Sequence, residues 1–291
     1  MIYKNITREE YDALEGVNNS TLKHFRDSTK YGAYKKNASF NPTAAMRVGT
    51  AAHTLTLEPE KFDEEYIIGG PINEKTGKTY GSDSAKFKNW LEDQEPGKKF
   101  LSDQEATLAR KVARNTKQDK TAMFWLDQCE YKETAIDWVD PYSGLKCKAL
   151  LDAFSIDNLI FADYKTIGKS VSYDELSKTI YNMGYYQQFA FYNDGLFHNG
   201  IHCNDVIAVF AQTADEKDVA TARIGRESLD LGRMHYQQCF DNYKSFLAGD
   251  VKGHNSELFE LNVPGWATRA MEEEEEFNFI NQIKDELCET L

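Results

Sequence analysis

Residues 147–165, CKALLDAFSIDNLIFADYK, hold two short apolar runs separated by Asp157-Asn158, and each run places an acid in a hydrophobic setting. Apolar runs of this length, bounded by turn residues, read as neighbouring strands of one sheet. Carboxylates and a lysine in such runs are costly to bury unless they pair or bind a metal. A two-residue turn at Asp157-Asn158 joins strands ending at Ile156 and starting at Leu159. In that register Asp152 faces Asp163, with Cβ atoms roughly 4.5–5.5 Å apart. Like charges facing each other in a dry sheet repel, and a divalent cation between them removes the conflict. Asp163 and Lys165 are two apart on one strand and point to the same face. Two carboxylates supply the oxygen ligands that Mg²⁺ prefers. A bound divalent ion lowers the pKa of its water and screens phosphate charge. The lysine beside it can position that water or stabilise developing negative charge.

The surrounding pattern predicts an α/β fold. Strands are expected at about 131–138, 145–156, 159–165, 205–212 and 218–225, with a turn at Pro141-Tyr142-Ser143-Gly144. Helices are expected after the cap Asn19-Ser20-Thr21, over Thr43–Leu57, Ala85–Leu91, Asp103–Lys120, Tyr173–Leu196 and Glu227–Leu247. ELFELNVPGWA reads as an extended region closed by Pro264. The expected architecture is a central mixed, mainly antiparallel sheet flanked by helices. Residues 1–267 read as one domain with a helical N-terminal part, and 268–291 as an acidic helical tail. No run approaches the roughly 18 apolar residues of a membrane span. The N-terminus lacks a basic-then-apolar signal pattern, so a cytoplasmic location is expected. Five dispersed cysteines match no zinc or iron–sulphur spacing and read as free thiols.

A net charge of −13 taken alone argues against a nucleic-acid partner. Its distribution changes that reading. Residues 23–47 carry six Lys/Arg and one acid, Asp27, whereas 272–290 carry eight acids and one lysine. One basic surface and one solvated acidic surface fit this asymmetry. Arg47, within the basic stretch, and Lys75 and Lys78, in the glycine-rich loop 69–84, are candidate phosphate contacts. His53 lies in the small-residue helix VGTAAHTLTL. Glu58, five residues on, falls about 140° around that helix, which opposes a shared ligand role. Gln188 and Tyr192 share a helical face, and a buried Gln188 amide needs partners.

Taken in order, these segments resemble the PD-(D/E)XK nuclease superfamily, and within it the exonuclease VIII (RecE-type) branch of phage and prophage recombination exonucleases. YDALEGVNNSTLKHFRDSTKYGAY is similar to that branch's opening helix, and VGTAAHTLTLEPEKFDEEY to its histidine helix followed by LEP. INEKTGKTYGSDSAKF, KCKALLDAF, IFADYKT, YNMGYYQQFAFYNDG, VIAVFAQ and NVPGWA follow in register, so the likeness covers most of residues 10–267. It implies a restriction-endonuclease-like core. His53, Asp152 and Asp163 would be metal-site residues, Lys165 the catalytic lysine, and Gln188 and Tyr192 supporting members of the site. It implies Mg²⁺, with Mn²⁺ as a substitute, and 5′-to-3′ degradation of linear double-stranded DNA from its ends. The exposed strands would pass to a single-strand annealing protein in the bacterial host cell. A homo-oligomeric ring, trimer or tetramer, is also implied. Two positions depart from the pattern: Leu151 replaces a proline, and Gln212 replaces a glutamate that closes the later strand. The alternatives are a catalytically silent DNA-end-binding or inhibitory protein on the same fold, and a structure-specific endonuclease.

Overall fold

The computed structural model describes residues 1–254 and 258–263, except positions 5, 40, 96 and 215. Met1–Val251 form one compact unit and Lys252–Leu291 a second. The described part of the second unit carries no helix or strand. Pro264 and the helix expected over 268–291 lie outside the described residues.

Six strands form the central sheet: β1 (Ile2–Tyr3), β2 (Tyr131–Val139), β3 (Lys146–Ser155), β4 (Ile160–Ile167), β5 (Asp205–Gln212) and β6 (Val219–Arg223). They lie side by side in chain order. β4 and β5 run parallel, and the other neighbours are antiparallel. A parallel step needs a crossover, and the chain supplies it as helices between β4 and β5. The mixed, mainly antiparallel sheet read from the sequence is the observed one.

The helices that cover this sheet are α1 (Asn19–Leu22), α2 (Thr29–Asn37), α3 (Ala44–Leu57), α4 (Asp103–Gln118), α5 (Tyr173–Asn182), α6 (Tyr185–His198) and α7 (Arg226–Leu247). One core layer joins Leu22, Phe189, Phe191, Tyr236 and Phe240 to Phe161 and Phe210 of the sheet. The other joins Val48, Ala51, Ala52, Ala106, Ala109 and Val112 to Ala162, Tyr164 and Val209. Phe161 and Ala162 thus face opposite layers. β4 is covered on both sides, which explains its continuous apolar run.

Two expected helices are broken. The helix following Asn19 ends in a 3-10 turn, Lys23–Phe25, because Ser28 recaps the chain by accepting from the Tyr31 N–H at 3.1 Å. The run 173–196 breaks between α5 and α6 at Gly184, whose φ of 69° an L side chain rarely adopts.

Candidate metal centre

The β3–β4 hairpin sets the centre. Its turn spans 156–159 rather than two residues, with Leu159 at φ 55°. Ser155 Oγ accepts from the Asn158 N–H at 2.9 Å, and Glu130 Oε1 accepts from the Ile156 N–H at 2.8 Å. These two bonds replace the last ladder pair. One residue has left each strand, so the register survives: Ala153 pairs with Ala162, Phe154 with Phe161 and Ser155 with Ile160.

Extended by one residue, that register sets Asp152 opposite Asp163. The ladder stops short of them, at Ala153–Ala162. Instead, the Asp152 carboxylate takes the backbone N–H of Tyr164 at 2.8 Å. A side chain therefore occupies the place of a carbonyl, and the strands part where the two acids would otherwise face each other as a ladder pair. Asp163 Oδ2 pairs with the Lys165 ammonium, and Asp163 Oδ1 accepts from Gln188 Nε2 at 3.4 Å. Lys165 Nζ also lies 5.4 Å from the centre of the Tyr185 ring.

His53 reaches the acids from α3. A Cβ on Gly49 would stand 2.5 Å from Thr166 Oγ1, so only glycine lets this helix lie so close to β4. One turn later, His53 Nε2 is 3.0 Å from Asp152 Oδ2 and Nδ1 is 3.4 Å from Glu133 Oε1. His53, Glu133 and Asp152 each offer a ligand atom, all within 4.8 Å of one another.

Glu133 is the residue that the sequence reading missed. Lys132 pairs with Ala153 and Thr134 with Leu151, so Glu133 stands opposite Asp152 with its own pair omitted from the ladder. Its φ of 40° is unusual for a residue with a side chain. The Pro141–Gly144 turn carried the signal: its register, continued to the far end of β2, leads from Asp152 to Glu133. Three adjacent strands therefore contribute one acid each.

Burial and mutual repulsion shape the proton affinities. Burial pushes Asp163 up to about 7, and the neighbouring Asp152 charge adds to it. Glu133 also rises to about 7, first through burial and then through Asp152 and Glu58, against the pull of His53. Burial opposes ionisation of Asp152 too, but the charges of His53 and Lys165 prevail and hold it at about 2. Burial opposes the His53 imidazolium, yet Asp152 and Glu133 raise it to about 9.

The donor set fits a hard divalent cation. Glu133 Oε1 and Asp163 Oδ2 are buried, and each meets only a cationic side chain, His53 and Lys165 respectively. Buried carboxylate oxygens balanced only by side-chain cations, beside an imidazole, are oxygens that a divalent ion can also take.

A family model described as a PDDEXK-like domain of unknown function (DUF3799) matches residues 18–262. The chain belongs to this family, and with it to the PD-(D/E)XK nuclease superfamily. A crystal structure from Eubacterium rectale, provisionally assigned as an exonuclease, superposes with a TM-score of 0.61 at 16% identity, covering 91% of this chain and 98% of that one. A phage-related exonuclease from Haemophilus somnus 129PT gives a TM-score of 0.36 at 12% identity over 82% of this chain and 98% of that one. The first of these bears on the fold alone. No curated protein matches the sequence.

Within the PD-(D/E)XK frame the other expected residues separate into groups. Gln188 sits against Asp163, and buried Tyr192 lies one turn along α6 in the field of both aspartates. Arg47 does not reach the acids. Its guanidinium is bound to Glu105 at 2.6 and 3.0 Å and to the Pro42 carbonyl at 2.9 Å. It lines a cleft of about 820 Å³ with Thr50, Tyr66, Tyr80 and Lys99, and none of His53, Glu133, Asp152 and Asp163 lines that cleft. Lys75 and Lys78 are exposed in the hairpin Ile72–Thr79, whose end forms one wall of that cleft. Glu58 is paired with Lys61 at 2.7 Å and adds to the negative field on Glu133. Gln212 is buried and accepts from the Asp218 N–H at 3.3 Å, closing the β5–β6 turn. Leu151 is fully buried in the core. The four cysteines among the described residues are free. Among those residues no helix is long and apolar enough to cross a membrane.

Proposed function

We propose that this protein is a divalent-metal-dependent exodeoxyribonuclease that degrades linear double-stranded DNA from its ends. The observation that carries the reading is the convergence of Glu133, Asp152 and Asp163 from three adjacent strands, with His53 and Lys165 at their carboxylates. A binding module gains nothing from packing three acids together, since the arrangement costs stability without a cation.

His53, Asp152 and Asp163, joined by Glu133, would hold the ion, Mg²⁺ or its substitute Mn²⁺. When bound, the ion supplies Lewis-acid polarisation of the phosphate and a more acidic water. The chain's own groups do the rest. Lys165 keeps its charge beside Asp163 and faces the place where negative charge develops. Asp163, held between Lys165 and Gln188, would meet the ion as an ionised carboxylate. Gln188 fixes the Asp163 carboxylate, and Tyr192 supports Gln188. Arg47, Lys75 and Lys78 are proposed as contacts that position the duplex. We assign the cutting direction as 5′ to 3′, the setting as phage or prophage recombination with a single-strand annealing protein, and the assembly as a homo-oligomeric ring of three or four. These assignments draw on the RecE-type resemblance.

The decisive experiment is digestion of end-labelled linear duplex with Mg²⁺ and with EDTA, alongside closed circular DNA. The proposal expects release of nucleotides or short oligonucleotides from linear DNA only, and only with metal. Purified Asp163→Ala is expected to be inactive. Products from closed circles would instead identify an endonuclease, and no release with any divalent ion would end the enzyme reading.

A further inference from the structure

Outside the carboxylates, α1, the 3-10 turn and α2 carry an excess of positive charge. Residues 19–37 carry Lys23, Arg26, Lys30, Lys35 and Lys36 against one acid, Asp27. That acid is paired with Arg26 at 3.1 Å. In a chain of net charge −13, Lys23, Lys30, Lys35 and Lys36 of this segment are all exposed.

The segment is fixed rigidly beside the metal centre. Buried Asn19 accepts from Gln187 Nε2 at 3.0 Å. Arg26 Nη1 donates to Tyr186 Oη at 3.3 Å. Asn242 Nδ2 donates to the carbonyls of Phe25 and Arg26 at 2.7 and 3.1 Å. Gln187 and Tyr186 immediately precede Gln188, the residue on Asp163. Lys23 lies between the two anchors. Lys23 is exposed at the surface, yet the protein bulk around it lowers its proton affinity, and the charge of Lys165 lowers it further. The anchors on Tyr186 and Gln187 set the segment next to Gln188 and so next to Asp163.

From Lys23 the surface continues outward. The His24 ring packs edge-on against Tyr31, with centroids 6.1 Å apart. Lys35 Nζ lies 5.6 Å from the centre of the Tyr31 ring. Tyr34, three residues after Tyr31 on the same helical face, is 68% exposed. An exposed aromatic ring within a basic segment is a platform for an unpaired base, whereas a duplex hides its base faces.

We infer that this surface binds a single strand of nucleic acid, with phosphates on Lys23 and Lys35 and a base stacked on Tyr34, continuous with the Lys165 site. The inference rests on the nuclease reading for its biological sense, but not for its test. The test is fluorescence anisotropy of a labelled thymidine oligomer of roughly 16 nucleotides, with the full chain in EDTA, compared with a blunt duplex. Lys23→Glu/Lys35→Glu is expected to lower single-strand affinity at least about tenfold and to reduce the logarithmic salt slope by roughly 1.4. Tyr34→Ala is expected to weaken the single strand about fivefold and leave the duplex unchanged. Thermal melts report whether each variant is folded, and Lys35→Glu alone, on the exposed face of α2, replaces the double variant if that unfolds.

Failure of the wild-type protein to bind the oligomer overturns the inference, as does unchanged affinity in the charge variants. Equal loss of single strand and duplex in Tyr34→Ala overturns it in favour of a duplex-backbone surface. EDTA separates this outcome from the fate of the metal centre. A protein that binds single strands but never cuts with Mg²⁺ sinks the nuclease reading alone. One that cuts while Lys23→Glu/Lys35→Glu binds normally sinks this surface alone.

Discussion

His53 Nε2 lies 3.0 Å from Asp152 Oδ2, so one side chain of α3 closes the fork between β3 and β4. The contact depends on how close α3 approaches the sheet, and that approach depends on Gly49, whose added Cβ would meet Thr166 Oγ1 at 2.5 Å. Gly49→Ala is expected to push the helix outward, lower stability by about 1–3 kcal/mol and weaken metal-dependent cleavage more than it weakens DNA binding. Thermal denaturation with paired activity and binding assays checks this. Full cleavage in a destabilised Gly49→Ala protein would show that the helix does not position the centre.

How much of this was legible beforehand follows from the kind of signal. Strand β4 and the acids on either side of the hairpin were readable because burial on both faces leaves a run of apolar residues and the hairpin carries its own register. Gln188 was readable because an amide in an aromatic helix needs a partner. Glu133 was not, since it lies in YKETAIDWV, whose charges look like a solvated edge until β1 pairs beside it. The turn at 156–159 was misread by one residue on each side because Glu130, far along the chain, supplies its bond. Likewise, nothing local in the sequence announces that Glu105 takes the Arg47 guanidinium. Contacts made by the tertiary fold, rather than by neighbours in sequence, account for these differences.

Glu133 offers a separation of function from stability. Glu133 is half-buried opposite Asp152, and its buried Oε1 accepts no hydrogen bond. Glu133→Gln keeps the shape and removes a repelling charge. Metal affinity is expected to fall roughly 10- to 100-fold, with the apo melting temperature unchanged or higher. Mn²⁺ titration by calorimetry measures the first and scanning fluorimetry the second. A normal Mn²⁺ isotherm would remove Glu133 from the ligand set.

Lys165 should behave in the opposite way. It is the cation that balances buried Asp163. Lys165→Met leaves that carboxylate without its partner, a loss of about 3–5 kcal/mol for a buried pair. Cleavage is expected to fall at least about 100-fold. Added Mg²⁺ should recover part of the stability, because another cation then faces the same oxygens, but should not recover cleavage. Restored cleavage at high Mg²⁺ would reduce Lys165 to a structural counter-charge.

The proton affinities fix how stability and metal binding change with pH. Asp163 and Glu133 are raised in the fold from ordinary values near 3.8 and 4.5 to about 7, so the folded state holds the extra protons and loses stability as pH rises through that window. His53 is raised from 6.5 to about 9, and its contribution, complete below 6.5, is lost as pH rises through 9. Asp152 is lowered from 3.8 to about 2, and its contribution is lost only as pH falls through that range. The cluster therefore favours the apo fold most near pH 4 to 5 and progressively less towards pH 9. A cation needs ionised carboxylates and an unprotonated imidazole nitrogen, so its binding must displace these protons. Melting temperatures in EDTA and in excess Mg²⁺, measured from pH 5 to 9, should diverge as pH rises, with the smallest increment at pH 5. An Mg²⁺ increment of constant size across that range would mean that the ion binds away from His53, Glu133 and Asp163.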